Sequence, residues 1–206
     1  MIIAVDGPTA SGKGTLSKRL AEHLNVPHLD TGLLYRAVGY QAHLNDGDPD
    51  NSDDALAATR FPDDLLADPA LRDEATGALA SRASVHPAVR RALFDRQRAF
   101  AAQTGGAVLD GRDIGTVIAP DADVKLFITA SVEARAKRRF AEMQARGAAV
   151  TLDAIADDLR RRDERDTQRK DAPLVAADDA LVIDTSAMTI DEAFAAALVA
   201  VDAARR

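Results

Sequence analysis

Near its start the chain reads Gly7-Pro8-Thr9-Ala10-Ser11-Gly12-Lys13-Gly14-Thr15, a fit to G-x-x-x-x-G-K. Residues of these types at this spacing suit the phosphates of a nucleotide such as ATP. The glycines let backbone N–H groups converge on phosphate oxygens, a following helix adds the positive end of its dipole, and Lys13 reaches the β- and γ-phosphates as a point charge. The usual next residue is Ser or Thr, whose hydroxyl meets Mg²⁺. Here Gly14 intervenes, so Thr15 has to supply that contact or the ion keeps more of its water. A bare glycine-rich turn with a surface lysine is the plain alternative, and only a strand before the loop and a helix after it outweigh that reading.

The second half supplies positive charge in clusters, which phosphoryl transfer between two anions needs more than it needs a covalent nucleophile. Arg135, Arg138 and Arg139 share one helical stretch, and Arg160, Arg161, Arg162, Arg165 and Arg169 lie in or just after another. For any single helical arginine, pairing with a neighbour such as Glu133, Asp163, Glu164 or Asp166 is the favoured role. Arg36 and Arg112 stand apart from these clusters, because both read as neighbours of glycine turns instead of helix faces. Asp110 suits a carboxylate holding the hydration shell of Mg²⁺, or a strand-end cap. The four histidines show no metal-ligand spacing and receive no chemistry: His23 and His28 read as surface positions, and His86 as fixed only by its proline neighbour. No Ser-His-Asp or H-E-x-x-H pattern supports a hydrolase.

The elements that must carry these residues follow from periodicity. Residues 2–5 form a β-branched run ended by Asp6-Gly7-Pro8, and residues 14–24 place Leu16, Leu20, Ala21 and Leu24 at helical spacing. Further apolar runs at residues 107–109, 124–129 and 180–183 read as strands. Thr189 with Glu192 forms a capping-box start to a last helix. Strands of this kind alternating with amphipathic helices predict an α/β fold with a parallel sheet covered on both faces. Residues 45–73 read as an acidic surface insertion with some helix. Residues 74–102 read as two helices separated at His86-Pro87, since a residue before proline avoids the helical region. Residues 132–144 and 152–165 are expected to be helical.

The formal net charge of -7 argues against general nucleic-acid binding, which rests on a basic surface. With no cysteine, neither disulfides nor thiolate metal sites are possible, which suits a reducing cytoplasm. The N-terminal apolar run breaks at Asp6 and reads as a first strand, not a signal peptide, and no stretch approaches the roughly 18 apolar residues of a membrane span.

Five stretches together resemble the bacterial cytidylate kinases, within the nucleoside monophosphate kinases. They are Asp6-Gly7-Pro8 through Thr15; Leu29-Asp30-Thr31-Gly32 through Tyr35-Arg36; Arg96-Gln97-Arg98-Ala99-Phe100; Asp110-Gly111-Arg112-Asp113 with Gly115-Thr116-Val117; and Arg162-Asp163-Glu164-Arg165-Asp166 through Ala172-Pro173-Leu174. The Gly-Lys-Gly-Thr ending of the loop is that superfamily's own. The resemblance implies a three-layer P-loop NTPase fold with a central parallel sheet and small NMP-binding and lid insertions. The expected boundaries within residues 1–206 are a core at about 1–36, 104–131 and 174–206, an NMP-binding region at about 37–103 and a lid at about 132–173. It further implies a cytoplasmic, monomeric transferase that uses Mg²⁺ with ATP to phosphorylate CMP and dCMP. Thr31, Tyr35, Arg36, Ser81, Arg90, Arg112, Asp113, Arg162, Asp166 and Arg169 would bind the acceptor. Within that set, Ser81, Arg90 and Asp113 would read the base, Arg36, Arg112 and Arg169 the phosphate, and Arg162 and Asp166 the sugar. Residues 7–15 with Arg135, Arg138 and Arg139 would bind ATP, Thr15 and Asp110 would meet the metal, and Lys13, Arg112 and Arg162 would be catalytic. Family members commonly carry a larger insertion with strand-like alternation, where residues 60–73 are short and proline-broken. Kinases for dephospho-coenzyme A, shikimate or gluconate share the loop but should not need the combined aspartate and arginine patterns. A nucleotide-hydrolysing switch is the alternative of another class, and the chain has no N/T-K-x-D pattern of the guanine-specific kind.

Overall fold

The computed structural model describes residues 1–205, and the chain divides into two compact units, Met1–Leu29 with Ala101–Arg206, and Asp30–Phe100. The second unit begins at Asp30, so Thr31, Tyr35 and Arg36 lie within it.

In the first unit β1 (Ile2–Asp6) opens the chain and is buried from Ile3 to Asp6. α1 (Lys13–Leu24) buries Leu16, Leu20 and Ala21 on one face and stops at Asn25, which takes the left-handed conformation that ends helices. β2 (His28–Asp30) is a three-residue strand that the apolar pattern does not announce.

The second unit is helical: α2 (Thr31–Leu44), α3 (Ser52–Ala57), α4 (Glu74–Ala83) and α5 (Pro87–Ala101). The break at His86-Pro87 falls as expected, with the proline at the first helical position, where its missing N–H costs nothing. The acidic insertion resolves into α3 and three short 3₁₀ turns, Ala58–Arg60, Asp63–Ala67 and Pro69–Arg72. His86 is held by more than its proline, since its Nε2 lies 2.9 Å from the Pro49 carbonyl.

The chain then returns to the first unit through β3 (Ala107–Gly111), β4 (Val124–Thr129), α6 (Val132–Ala145), α7 (Leu152–Gln168), β5 (Leu181–Asp184) and α8 (Ile190–Ala204). The five strands form one sheet in the order β2-β3-β1-β4-β5. β1 runs parallel to β3 and β4, and β4 parallel to β5, with Asp6 beside Gly111 and Val5 beside Asp110. Burial on both faces holds for β1 and β3. β5 lies at the sheet edge and leaves Leu181 and Val182 exposed. Ile3, Val5, Val108, Leu126, Ile128 and Ile183 meet Leu16 and Leu20 of α1 and Ala197 and Val201 of α8 in the core. Each large side chain buried there contributes about 1.5–3 kcal/mol. The capping box of α8 forms as its sequence predicts, Thr189 with Glu192. A smaller cluster of Ala136, Ile155 and Leu159 packs α6 on α7 and takes in Ala10 of the glycine loop. Among the described residues no helix is long and apolar enough to cross a membrane.

Because β1 and β3 are adjacent and parallel, their carboxyl ends deliver residues 7–15 and residues 110–113 to the same edge of the sheet. That edge is where open α/β sheets bind ligands.

Candidate active site

The loop after β1 is shaped by two glycines. Gly7 has φ 151°, and a β-carbon there would stand 2.0 Å from the Ile128 carbonyl oxygen, so no other residue lets the chain leave the sheet at this angle. Gly12, with φ 89°, caps α1 with no side chain bonded to the first N–H groups of the helix. Those donors and the dipole face the loop, and no acidic residue lies in the first turn to compensate them. Lys13 is 9% exposed, and its Nζ donates to the Pro8 carbonyl at 3.2 Å, which folds the ammonium back over the loop. Ser11 is fully buried, and its Oγ has no hydrogen-bond partner among the described residues. Thr15 is exposed.

Arg112 follows the end of β3 and joins two elements. Its Nη2 donates to Thr9 Oγ1 of the loop at 2.6 Å and its Nε to Asp166 Oδ2 of α7 at 2.7 Å. Burial alone would raise the Asp166 carboxyl, but Arg112 and Arg169, with Lys13 behind them, overcome it and hold that carboxyl below the usual range. Asp166 is therefore an anion set among cations at the rim of the loop. Arg169 lies close by, its Nε donating to the Asp166 carbonyl at 3.3 Å. Arg162 is 4% exposed, with Nε 2.7 Å from an Asp158 carboxylate oxygen one turn back on α7.

The arginines of α6 divide. Arg135, only 3% exposed, donates to the carbonyls of Ala130 at 2.9 Å and Thr9 at 3.1 Å and forms a two-pronged ion pair with Asp163. It braces the glycine loop from below and ties α6 to α7, so the structure gives it protein partners where an ATP contact was expected. Arg138 reaches Thr185, whose hydroxyl donates to the Ser11 carbonyl at 2.9 Å. Arg139 lies 3.1 Å from Glu142. Arg160 and Arg161 make ion pairs with Asp157 and Asp158, the surface role favoured for helical arginines.

Asp110 ends buried, and its Oδ2 lies 2.7 Å from Nε2 of His28. The other carboxylate oxygen lies 3.9 Å from the point where a β-carbon on Gly14 would stand, so this carboxylate faces the loop. His28 is thus not a bare surface histidine, because a parallel strand places it against Asp110. His23 does stay exposed, edge-on to Phe194. Sequence patterns also gave no role to Asp6, whose carboxylate accepts the N–H groups of Ile114 and Gly115 at 2.8 Å each, or to Thr185. The only signals were a charged residue closing a buried strand and a hydroxyl just past the carboxyl end of another.

In the helical unit Asp30 caps α2 by accepting the Leu33 N–H. Thr31 and Tyr35 are buried, and the Arg90 guanidinium lies 5.6 Å from the Tyr35 ring centroid, with its Nη1 3.4 Å from the Ser84 carbonyl. Ser81 lies on α4, and its Oγ has no hydrogen-bond partner among the described residues. Arg36 sits one turn inside α2 and not beside a glycine turn: Gly32 is itself helical, because the Asp30 cap starts the helix before it. Arg36 Nη1 donates to the carbonyls of Leu71 and Asp73 at 2.8 Å each.

A family model described as cytidylate kinase matches residues 3–203. A protein of Azorhizobium caulinodans named cytidylate kinase is 56% identical over 206 residues, all of both chains. One of Caulobacter sp. (strain K31), of the same name, is 54% identical over 205 residues, covering 99% of this chain and 95% of its own. The crystal structure of an uncharacterized protein from Eubacterium ventriosum covers 98% of each chain with a TM-score of 0.55 at 17% identity, a likeness of fold. With a family match across nearly all its length and full-length relatives above half identity, the chain belongs to the cytidylate kinase family.

Proposed function

We propose that the chain transfers the γ-phosphoryl group of ATP to CMP and dCMP, giving CDP and dCDP, as a cytoplasmic monomer. The observation that carries the reading is Arg112, bonded at once to Thr9 of the glycine loop and to Asp166 of α7, with Lys13 folded over the same loop. Positive charge is gathered where two sets of phosphates would meet.

The transfer is direct and in line. An oxygen of the acceptor phosphate attacks the γ-phosphorus, and since that oxygen is already anionic no general base is needed. Residues 7–15 hold the ATP phosphates through backbone N–H groups and Lys13. Arg138 and Arg139 add charge from α6, and Arg135 acts by holding Thr9. Arg36, Arg112 and Arg169 take the acceptor phosphate, Arg162 and Asp166 the sugar hydroxyls. Tyr35 and Thr31 support the nucleotide, and Ser81, Arg90 and Asp113 read the base. An aspartate accepts from the exocyclic amine of cytosine, which uracil replaces with a carbonyl. Thr15 and Asp110 offer the hard oxygens Mg²⁺ prefers, and the bare Gly14 leaves room beside Asp110, so these residues fit the ion. When bound with ATP, it would neutralise charge on the β- and γ-oxygens.

The deciding experiment is ADP release from Mg·ATP with CMP, dCMP, UMP, AMP, shikimate, dephospho-coenzyme A and no acceptor. Turnover confined to CMP and dCMP is expected. Preference for another acceptor, or equal ATP hydrolysis without one, overturns the proposal.

A further inference from the structure

Beyond Asp113 the backbone makes one π-helical turn, Ile114–Ile118, in which the Asp113 carbonyl accepts the N–H groups of Val117 at 2.9 Å and Ile118 at 3.1 Å. Such turns are rare and recur at functional sites. An aspartate heading a helical turn ordinarily folds its own carboxylate back onto the first N–H groups. Asp113 makes no such bond. The two N–H groups are taken instead by Asp6, a residue 108 and 109 positions away at the end of β1: Ile114 donates to Oδ1 and Gly115 to Oδ2, each at 2.8 Å. One distant carboxylate therefore holds a turn that another carboxylate heads. Asp6, 5% exposed, holds the backbone from beneath, and Asp113, 4% exposed, stands at its head without capping it.

We propose that Asp6 is the positioning residue for Asp113, fixing the turn so that the Asp113 carboxylate meets the cytosine amine; this rests on the reading of Asp113 as a base-reading residue. The task calls for a two-oxygen acceptor. An asparagine at position 6 would accept one N–H and oppose the other with its own. The surroundings leave little slack, since a β-carbon on Gly115 would stand 3.4 Å from Asp6 Oδ2 and 3.2 Å from the Lys125 stem, whose Nζ is paired with Asp179. Burial pushes the Asp6 carboxyl up to about 6. Repulsion from Asp113 adds to this, while the two N–H bonds and Lys13 pull the other way. The grip on the turn therefore changes with pH near neutrality, because a protonated carboxyl presents an O–H where one of its two acceptors stood.

The test measures kcat/KM for CMP and for UMP with wild type, Asp6→Asn and Asp113→Asn from about pH 5 to about pH 8. Taking the CMP/UMP ratio cancels the phosphate ionisation common to both acceptors. Asp113→Asn is expected to lower the ratio roughly ten-fold or more. At about pH 8, Asp6→Asn is expected to lower it roughly ten-fold with the KM for ATP unchanged within about two-fold. The wild-type ratio should fall toward that of Asp6→Asn as pH drops through about 6. An unchanged ratio in Asp113→Asn removes the base-reading role and the proposal with it. A loss in Asp113→Asn, combined with Asp6 profiles that match or merely parallel the wild type, overturns the role of Asp6 alone. Where Asp6→Asn yields no folded enzyme, the wild-type profile decides, and a ratio constant across the range overturns the proposal.

Discussion

Replacing Asp6 with asparagine should change the pH dependence of stability in a defined direction. The carboxyl titrates at 3.8 in an unfolded chain and at about 6 in the native one, where burial is the largest cause. Between these values the native state alone holds the proton. The stability this group contributes is thus fully present below about pH 3.8 and lost as pH rises through about 6. Above that, the native protein carries a buried carboxylate at a cost of about 3 kcal/mol, from a shift of about two pH units at ~1.4 kcal/mol each. Asparagine does not titrate. Urea unfolding followed by circular dichroism, with wild type and variant paired at each pH, should show the variant gaining about 2 kcal/mol relative to wild type between about pH 4 and about pH 8. That gain rides on a pH-independent offset, because the asparagine amide does not titrate. The other carboxylates are common to both proteins and cancel. A difference flat to within ~0.5 kcal/mol would refute the assignment of a buried, titrating carboxylate at this turn.

Three further perturbations address the rest of the site. Lys13→Ala should cut kcat for CMP about 10³-fold with KM for CMP within about three-fold in the ADP-release assay, and near-normal turnover would remove Lys13 from the reaction. Arg112→Ala leaves Asp166 with burial opposed mainly by Arg169, so its carboxyl should rise. In wild type the contribution of Asp166 is present above about pH 3.8 and lost as pH falls through its lowered native value, so the stability gap of about 2–3 kcal/mol at neutral pH should close in acid. A gap independent of pH counts against the pair. His28→Ala removes the 2.7 Å contact with Asp110 and should weaken Mn²⁺ binding to the ATP complex about ten-fold by electron paramagnetic resonance, with His28→Gln recovering part of the loss. Unchanged Mn²⁺ affinity in both variants would leave His28 a packing residue.

The parts of the molecule legible in its sequence are those whose partners lie close along the chain. The strand, loop and helix spanning β1 to α1 announce themselves because β-branched residues, glycines and leucines at helical spacing act over a few positions each. The same is true of the Thr189–Glu192 cap and of the break before Pro87. β2 escaped notice because three residues carry no period, and it exists only because β3 offers it a ladder. Arg36 looked like a turn residue because Gly32 precedes it, yet the Asp30 cap starts a helix there and overrides the glycine's propensity.

The arginines show why the rest stayed hidden. Arg135 and Arg139 share one helix and one composition, and nothing local separates them. What separates them is Asp163, 28 positions away on α7, which buries Arg135 under Thr9 and leaves Arg139 to a neighbour on its own helix. The same holds for Asp6 and Asp113, two carboxylates whose contrasting settings arise from a turn that only the parallel pairing of β1 with β3 brings within reach. A charged residue's type states what it can do, and the sheet decides which of those things it does. In this chain the most consequential charges are set by contacts across tens of residues or more, so a residue change at Asp163 or Asp6 should reach the chemistry without touching a substrate.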